Sequence, residues 1–233
     1  MSDASYIRRR GEIRTYFDAT AVEGWKRLAG EGPLSRIRET VRRGRAEMRA
    51  AMLSALPADL AGWRVLDAGC GAGAMSVELA RRGADVVGID VAPSIVDFAR
   101  ESLPADLGGG SIHYASGDML SDALGRFDAV VAMDSLIHYE PETALDALGR
   151  LADRTRRRIV FTFAPWSPAL ALMHRAGKLF PRADKSPAIV PVRPVRMAEG
   201  IAERLGHHGW SAGRTQRISS GFYTSQMIEV SRS

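Results

Sequence analysis

The sequence is poor in the residues that build disulfides and membrane spans. Its 233 residues include a single cysteine, Cys70, which excludes an internal disulfide and fits a reducing compartment. No apolar run approaches the roughly 18 residues that a membrane-spanning helix needs, and residues 1–10 lack the apolar core of a signal peptide. These absences predict a cytoplasmic protein that does not span a membrane.

Lysine is also scarce, although the chain is basic. The 32 basic residues exceed the 27 acidic ones, which gives a formal net charge of +5, and only Lys26, Lys178 and Lys185 are lysines. This excess of positive charge favours an anionic partner such as nucleic acid, an acidic membrane face or a carboxylate substrate. Nucleic acid is not expected, because aromatic and basic residues do not alternate as they do in surfaces that stack bases.

A strand, a glycine-rich turn and a helix follow one another near residue 70. Apolar Val65 and Leu66 lead to Asp67, three alternating glycines come next, and helical spacing starts at Met75. An α/β sheet builds a nucleotide pocket in this way, because glycine lets the backbone turn tightly and approach a ligand. The chain is long enough for one large α/β domain with a substantial core.

The spacing of glycines and acids indicates which nucleotide binds. The G-x-G-x-x-G/A pattern of dinucleotide enzymes fits only loosely, and a carboxylate two residues before Gly69 would repel a pyrophosphate. The same carboxylate suits S-adenosylmethionine, a cation with an amino-acid head group, and Asp90 ends the next strand, where an acid accepts ribose hydroxyls. With Asp67, Gly69, Gly71, Gly73 and Asp90, the chain resembles the class I S-adenosylmethionine-dependent methyltransferases. A dinucleotide site and a plain structural turn are the alternatives.

The hydrophobic patterns, read with this resemblance, predict a doubly wound α/β fold. We expect a mostly parallel, seven-stranded, Rossmann-like methyltransferase sheet with an antiparallel last strand and an N-terminal helical arm. The predicted strands cover residues 63–68, 85–90, 112–115, 127–133, 159–163, 210–217 and 222–230. The predicted helices cover residues 34–56, 74–82, 142–152, 168–179 and 196–206, with another after Pro93. Residues 1–33 form an arm or lid, and residues 34–233 form the methyltransferase domain with a substrate loop at about 164–195.

Two segments leave alternatives open. A capping box at residues 20–23 predicts a short helix that carries Trp25. The aromatic group of Tyr16, Phe17 and Trp25 either fastens the arm to the domain or forms a lid over a flat apolar ligand. The arginines along helix 34–56 form either a solvated face or a surface for an acidic partner or membrane.

A narrower resemblance runs nearly from end to end of the chain. Its blocks are Tyr16-Phe-Asp-x-Thr20 followed by Trp25, then residues 133–139, 163–165, 177–181 and 221–223. These blocks resemble the magnesium-protoporphyrin IX O-methyltransferases of chlorophyll and bacteriochlorophyll synthesis.

The resemblance implies a reaction and its partners. S-adenosylmethionine would methylate one propionate of magnesium-protoporphyrin IX, giving the monomethyl ester and S-adenosylhomocysteine. Magnesium would enter only as part of the porphyrin, and no metal site is expected in the chain. The porphyrin-binding subunit of magnesium chelatase and a peripheral contact with the photosynthetic membrane are further expected partners. The alternatives are a small-molecule or quinone O- or C-methyltransferase and a non-catalytic porphyrin carrier.

The resemblance also assigns residues to the site. His138 would orient the propionate, although a lone histidine is more often structural. Oxygenic relatives carry a tyrosine where this chain has Ala29, so any role of that tyrosine is either lost or has passed to Tyr16. His138 and Tyr16 are the catalytic candidates. The substrate-binding candidates are Trp25, Tyr139, Arg182 and Lys185, the last two pairing with the second propionate. The cofactor-binding candidates are Asp67, Gly69, Gly71, Gly73, Asp90, Val91, Asp118, Met119 and Met133.

Overall fold

The computed structural model describes residues 3–18, 36–166 and 187–232. Seven strands form one sheet: β1 (Arg64–Ala68), β2 (Asp85–Asp90), β3 (Ser111–Ser116), β4 (Phe127–Ala132), β5 (Thr155–Phe163), β6 (Trp210–Ser220) and β7 (Tyr223–Arg232). Their order across the sheet is β3-β2-β1-β4-β5-β7-β6. Six strands share one direction, and β7 runs antiparallel to both of its neighbours. The predicted fold class is therefore confirmed.

Among the described residues, six α-helices flank the sheet: α1 (Asp3–Tyr16), α2 (Arg36–Leu53), α3 (Ala74–Arg81), α4 (Pro93–Glu101), α5 (Pro141–Ala152) and α6 (Pro194–Leu205). One 3₁₀ turn, Leu136–His138, follows β4 and belongs to the site. Within the described ranges, no helix combines the length and the apolarity that crossing a bilayer requires.

The central strand β4 positions the site. All six of its residues are buried, because a parallel strand is covered by helices on both faces of the sheet. It lies beside β1, which in turn pairs with β2. The carboxyl ends of these three strands therefore meet at one edge, where ligands bind in open α/β sheets.

Strand β5 begins earlier than the sequence pattern predicts. Its first half, residues 155–158, holds three consecutive arginines, Arg156, Arg157 and Arg158, which do not alternate with apolar residues. The strand accommodates these arginines because acidic side chains of the neighbouring strands form ion pairs with them. Arg158 donates to Glu229 of β7 at 2.6 Å, and Arg157 lies 3.6 Å from Asp128 of β4.

The N-terminal helix α1 was not predicted as a helix. Only Tyr6 and Ile13 point into the core, and they lie two helical turns apart on one face. The predicted arm helix after residue 20 and the helix at 168–179 lie outside the described residues, as does most of the predicted substrate loop.

Candidate active site

The glycine loop between β1 and α3 is held in the shape that its sequence predicts. Gly69, Gly71 and Gly73 have φ values of +81°, +52° and +82°, which L-residues with side chains rarely adopt. A Cβ atom at Gly69 would collide with Ser135. The Gly71 amide donates to the Asp90 carboxylate at 3.0 Å, which ties the loop to the end of β2.

Asp67 is a buried carboxylate. It is 1% exposed and accepts a 2.6 Å hydrogen bond from the Ser76 hydroxyl. Burial raises the pKa of its carboxyl to about 7, and the nearby Asp90 adds to the rise. No cationic side chain in the described ranges pairs with it, so the site favours a positively charged ligand group.

Asp90 ends β2 and faces the loop. Its carboxylate accepts the amides of Gly71 and Ala92, at 3.0 and 3.1 Å. Burial raises its pKa, while these hydrogen bonds oppose the rise.

A cavity with about 650 Å³ of empty space, part of it open to solvent, lies over the carboxyl ends of β1, β2 and β4. The predicted site residues that line it are Gly69, Gly71, Asp90, Val91, Met119, Met133, His138 and Tyr139. Gly73 caps α3 beside the cavity. Tyr16 does not line the cavity but contacts Phe17 edge-to-face, with ring centroids 5.1 Å apart.

A second cavity adjoins the first and shares Gly69, Met133 and Arg45 with it. Asp67 lies on its wall, and α2 contributes Arg42, Arg45 and Arg49. The half-buried Arg49 makes no hydrogen bond or ion pair within the described ranges. Sequence reasoning left the arginines of this helix as a solvated or partner-binding face and did not place them at the cofactor. Which of them turn inward depends on how α2 packs on the loop.

Asp118, one of the cofactor-binding candidates, is bound by side chains of α1. It accepts the Tyr6 hydroxyl at 2.7 Å and forms an ion pair with Arg10. The Tyr6 ring stacks on Tyr139, with centroids 5.1 Å apart and the planes 15° from parallel. Asp118 is not among the residues that line the first cavity.

His138 is buried at the end of its 3₁₀ turn. Burial lowers the pKa of its imidazole, and the nearby backbone of Ala188 and Pro187 opposes part of that change. Its carbonyl accepts from Arg9 Nε at 2.7 Å, and its ring lies 6.1 Å from that of Phe17. The histidine is therefore neutral at pH 7 and fixed against α1.

Asp134 is a site residue that sequence reasoning missed. It follows β4 with a φ of +53°, unusual for a residue with a side chain. Its carboxylate accepts the Tyr223 hydroxyl at 3.1 Å and lies 3.3 Å from Arg45. Only its position after a buried strand signals it, since its partners come from β7 and α2.

Three predicted substrate-binding residues lie outside the described ranges: Trp25, Arg182 and Lys185.

The chain is similar to known methyltransferases in both sequence and fold. Residues 132–232 match the model "Magnesium-protoporphyrin IX methyltransferase C-terminus", and residues 65–157 match a methyltransferase domain. The chain is 44% identical to magnesium-protoporphyrin O-methyltransferase of Rhodobacter capsulatus, over 97% of this chain and 98% of the relative. It is 33% identical to the protein of that name in Synechocystis, over 95% of each chain. A crystal structure of magnesium protoporphyrin IX methyltransferase from Synechocystis with bound SAH has a TM-score of 0.81 at 30% identity, covering 96% of this chain and all of that one.

Proposed function

This chain belongs to the magnesium-protoporphyrin O-methyltransferase family, and we propose that it transfers a methyl group from S-adenosylmethionine to one propionate of magnesium-protoporphyrin IX. The product is the monomethyl ester, a step of bacteriochlorophyll synthesis. The observation that carries this assignment is the pair of adjoining cavities that meet at Gly69, Met133 and Arg45.

The described residues fit the cofactor. S-adenosylmethionine supplies an activated methyl group on a sulfonium, and its head group carries one ammonium and one carboxylate. Asp67 would take the ammonium and Arg49 the carboxylate, since both face the second cavity. Asp90 would accept the ribose hydroxyls, with Val91 and Met119 against the adenine.

Asp118 would need to share its carboxylate between Tyr6, Arg10 and the adenine amine. Gly73 would act indirectly, through the turn that starts α3.

The chemistry needs little acid–base help from the chain. A propionate resembles a glutamate, with a pKa of about 4.3, so it is already an anionic nucleophile at pH 7. A carboxylate oxygen forms the new C–O bond as the C–S bond breaks, and the electron pair of that bond stays on sulfur. No proton moves, because the carboxylate is already ionised, and its negative charge cancels the positive charge of the sulfonium as the neutral ester and thioether form.

The protein therefore contributes orientation and exclusion of water. A neutral His138 would hold the propionate rather than remove a proton. The first cavity around His138 has an apolar wall, formed by Tyr6, Ile13, Phe17 and Tyr139. This wall lowers the local dielectric constant and so strengthens the electrostatic interactions inside the cavity.

The reaction is tested by incubating the purified protein with S-adenosylmethionine and magnesium-protoporphyrin IX. We expect the pigment to gain the mass of one methyl group, and the dimethyl ester of the same pigment, which has no free carboxylate, to gain none. Transfer to a phenolic quinone precursor instead would replace this assignment with the quinone alternative. Pigment binding without transfer would favour a carrier.

Further substrate contacts remain proposals. Tyr16 and Trp25 would cover the macrocycle as part of an arm formed by residues 1–33, while Arg182 and Lys185 would pair with the second propionate. If changing both basic residues to alanine leaves the KM for the porphyrin unaltered, the pairing is wrong.

We also propose handover of the porphyrin from the porphyrin-binding subunit of magnesium chelatase, at a peripheral contact with the photosynthetic membrane. The net positive charge and an apolar substrate support this proposal. Co-sedimentation with anionic vesicles, with and without that subunit, tests both contacts.

A further inference from the structure

Two buried polar atoms lack a partner, and both belong to the first cavity. Within the described ranges, Ser135 Oγ and His138 Nδ1 are the buried side-chain nitrogen or oxygen atoms without a hydrogen bond. Both residues line the first cavity. Buried polar groups are normally paired, because an unpaired one costs stability, so each such atom calls for an explanation.

The two atoms are carried by the same turn. Ser135 is the N-cap of the 3₁₀ turn Leu136–His138, and its hydroxyl caps no backbone amide, although serine is a preferred capping residue. Side chains three residues apart eclipse one another in a 3₁₀ turn. The hydroxyl and the imidazole therefore lie on one side of the turn, toward the cavity.

We propose that Ser135 binds the reacting propionate together with His138. The Ser135 hydroxyl donates to one carboxylate oxygen, and Nδ1–H of His138 donates to the other. A carboxylate accepts at both oxygens, so it supplies the acceptor that both atoms lack, and its negative charge selects the neutral imidazole tautomer that carries its proton on Nδ1. The inference rests on the proposed function, because it names the group that this site holds.

The competing occupant of Ser135 is the cofactor, since the residue packs against Gly69 of the glycine loop. Two observations favour the substrate. Ser135 lines the first cavity with His138 and not the second one, where Asp67 and Arg49 match the charges of the cofactor head group. Contact with Gly69 also brings the hydroxyl close to where the two cavities meet, and the methyl group must cross there.

The test compares two pigments that differ only in their carboxylates. Magnesium-protoporphyrin IX and its dimethyl ester are titrated into wild type and Ser135→Ala with S-adenosylhomocysteine present, and binding is followed by pigment absorption. We expect the variant to bind the diacid about tenfold more weakly, the loss of one hydrogen bond to a charged group. Binding of the diester and of S-adenosylhomocysteine should stay unchanged.

Ser54→Ala is the matched control, because the Ser54 hydroxyl donates to the nearby Ala51 carbonyl just after α2 and lines neither cavity, and it should leave all three affinities unchanged. Binding of the diester also reports that the variant is folded. An equal loss of affinity for both pigments would mean that Ser135 contributes only to the shape of the cavity, and it would overturn the inference. Weaker S-adenosylhomocysteine binding would instead assign it to the cofactor. If wild type binds the diacid but transfers no methyl, the proposed function fails, while the diacid–diester comparison still tests Ser135.

Discussion

At the scale of single residues, the buried carboxylate of Asp67, which we propose binds the cofactor, lowers the stability of the cofactor-free protein. Its buried carboxyl has a pKa raised to about 7, whereas an unfolded aspartate titrates near 3.9. Between pH 3.9 and about pH 7, the unfolded chain therefore binds fewer protons at this carboxyl than the native protein does. The free energy of unfolding consequently falls as the pH rises through this range. A positively charged ligand group would offset this cost.

Asp67→Asn should relieve the cost in the cofactor-free protein. Because the amide does not ionise, we expect its stability relative to wild type to grow by about 2–3 kcal/mol between pH 5 and pH 8. Urea unfolding at both pH values measures the change. A difference that does not vary with pH would mean that Asp67 titrates normally in the folded protein.

The same carboxylate should couple cofactor binding to pH. An ammonium binds the ionised form, so the affinity for S-adenosylmethionine should rise as pH increases from 6 toward 7, with release of a proton. Asp67→Asn should weaken binding roughly tenfold to a hundredfold at pH 8, the loss of a charge-assisted hydrogen bond. Calorimetry in two buffers with different ionisation heats measures the proton, and no proton release in wild type would contradict the coupling.

His138 should affect rate without adding an ionisation. Its pKa is lowered by burial and the propionate is already ionised, so no proton transfer is needed. We expect His138→Ala to lower kcat by roughly ten- to a hundredfold for the lost hydrogen bond, with a flat profile from pH 6 to 8. His207→Ala, at an exposed site far from the cavity, should leave the rate unchanged. A wild-type ionisation near pH 6–7 that disappears in the variant would make His138 a base.

Site residues whose position depends on the local conformation of the backbone could be predicted from the sequence. The alternating glycines, Asp67 and Asp90 signal themselves by spacing, and the structure places them at one loop. Ser135 and Arg49 carry no such signal. Ser135 is notable because its hydroxyl lacks a hydrogen-bond partner, and Arg49 because α2 turns its side chain toward the second cavity. Both features depend on long-range packing.

At the scale of elements, α2 is placed over the loop by close contact with β7. Gly44 of α2 lies against the Tyr223 ring, which a Cβ atom would strike. The Tyr223 hydroxyl bonds Asp134 at 3.1 Å, and Asp134 pairs with Arg45 one residue beyond Gly44. The glycine therefore sets the distance at which the arginines of α2 reach the second cavity.

Gly44→Ala should destabilise the protein by about 1–3 kcal/mol through overpacking. Gly149→Ala is the matched control, because Gly149 is also within a helix but has open space around it. Greater helix propensity should stabilise that variant by about 0.5–1 kcal/mol. Urea unfolding of both variants measures the change in the free energy of unfolding. If both substitutions changed it in the same direction, the packing argument for Gly44 would be wrong.

Elements with a clear period could be predicted, and those fixed by tertiary contacts could not. Strand β4 is apolar apart from Asp128, and the sequence predicts its bounds to within one residue. Strand β5 starts within a run of arginines because acids from β4 and β7 neutralise them. Helix α1 buries only Tyr6 and Ile13, which is too few for a periodic signal.

At the scale of the whole molecule, the alternation of strands and helices predicts the topology. Parallel strands need helical crossovers, and the glycine loop after β1 fixes which strand edge holds the ligand. The observed seven-stranded, mostly parallel sheet and the reversed β7 agree with that prediction. The meeting of two cavities at Arg45 could not be predicted, because it depends on how α2 packs across the sheet.

The central claim is that the reaction joins a methyl group to a carboxylate oxygen. The most direct measurement uses S-adenosylmethionine labelled with carbon-13 in its methyl group and locates the label in the pigment by NMR. We predict one equivalent of label at the methoxy carbon of a single propionate ester. Label on a ring carbon, or none while S-adenosylmethionine still binds, would contradict the account.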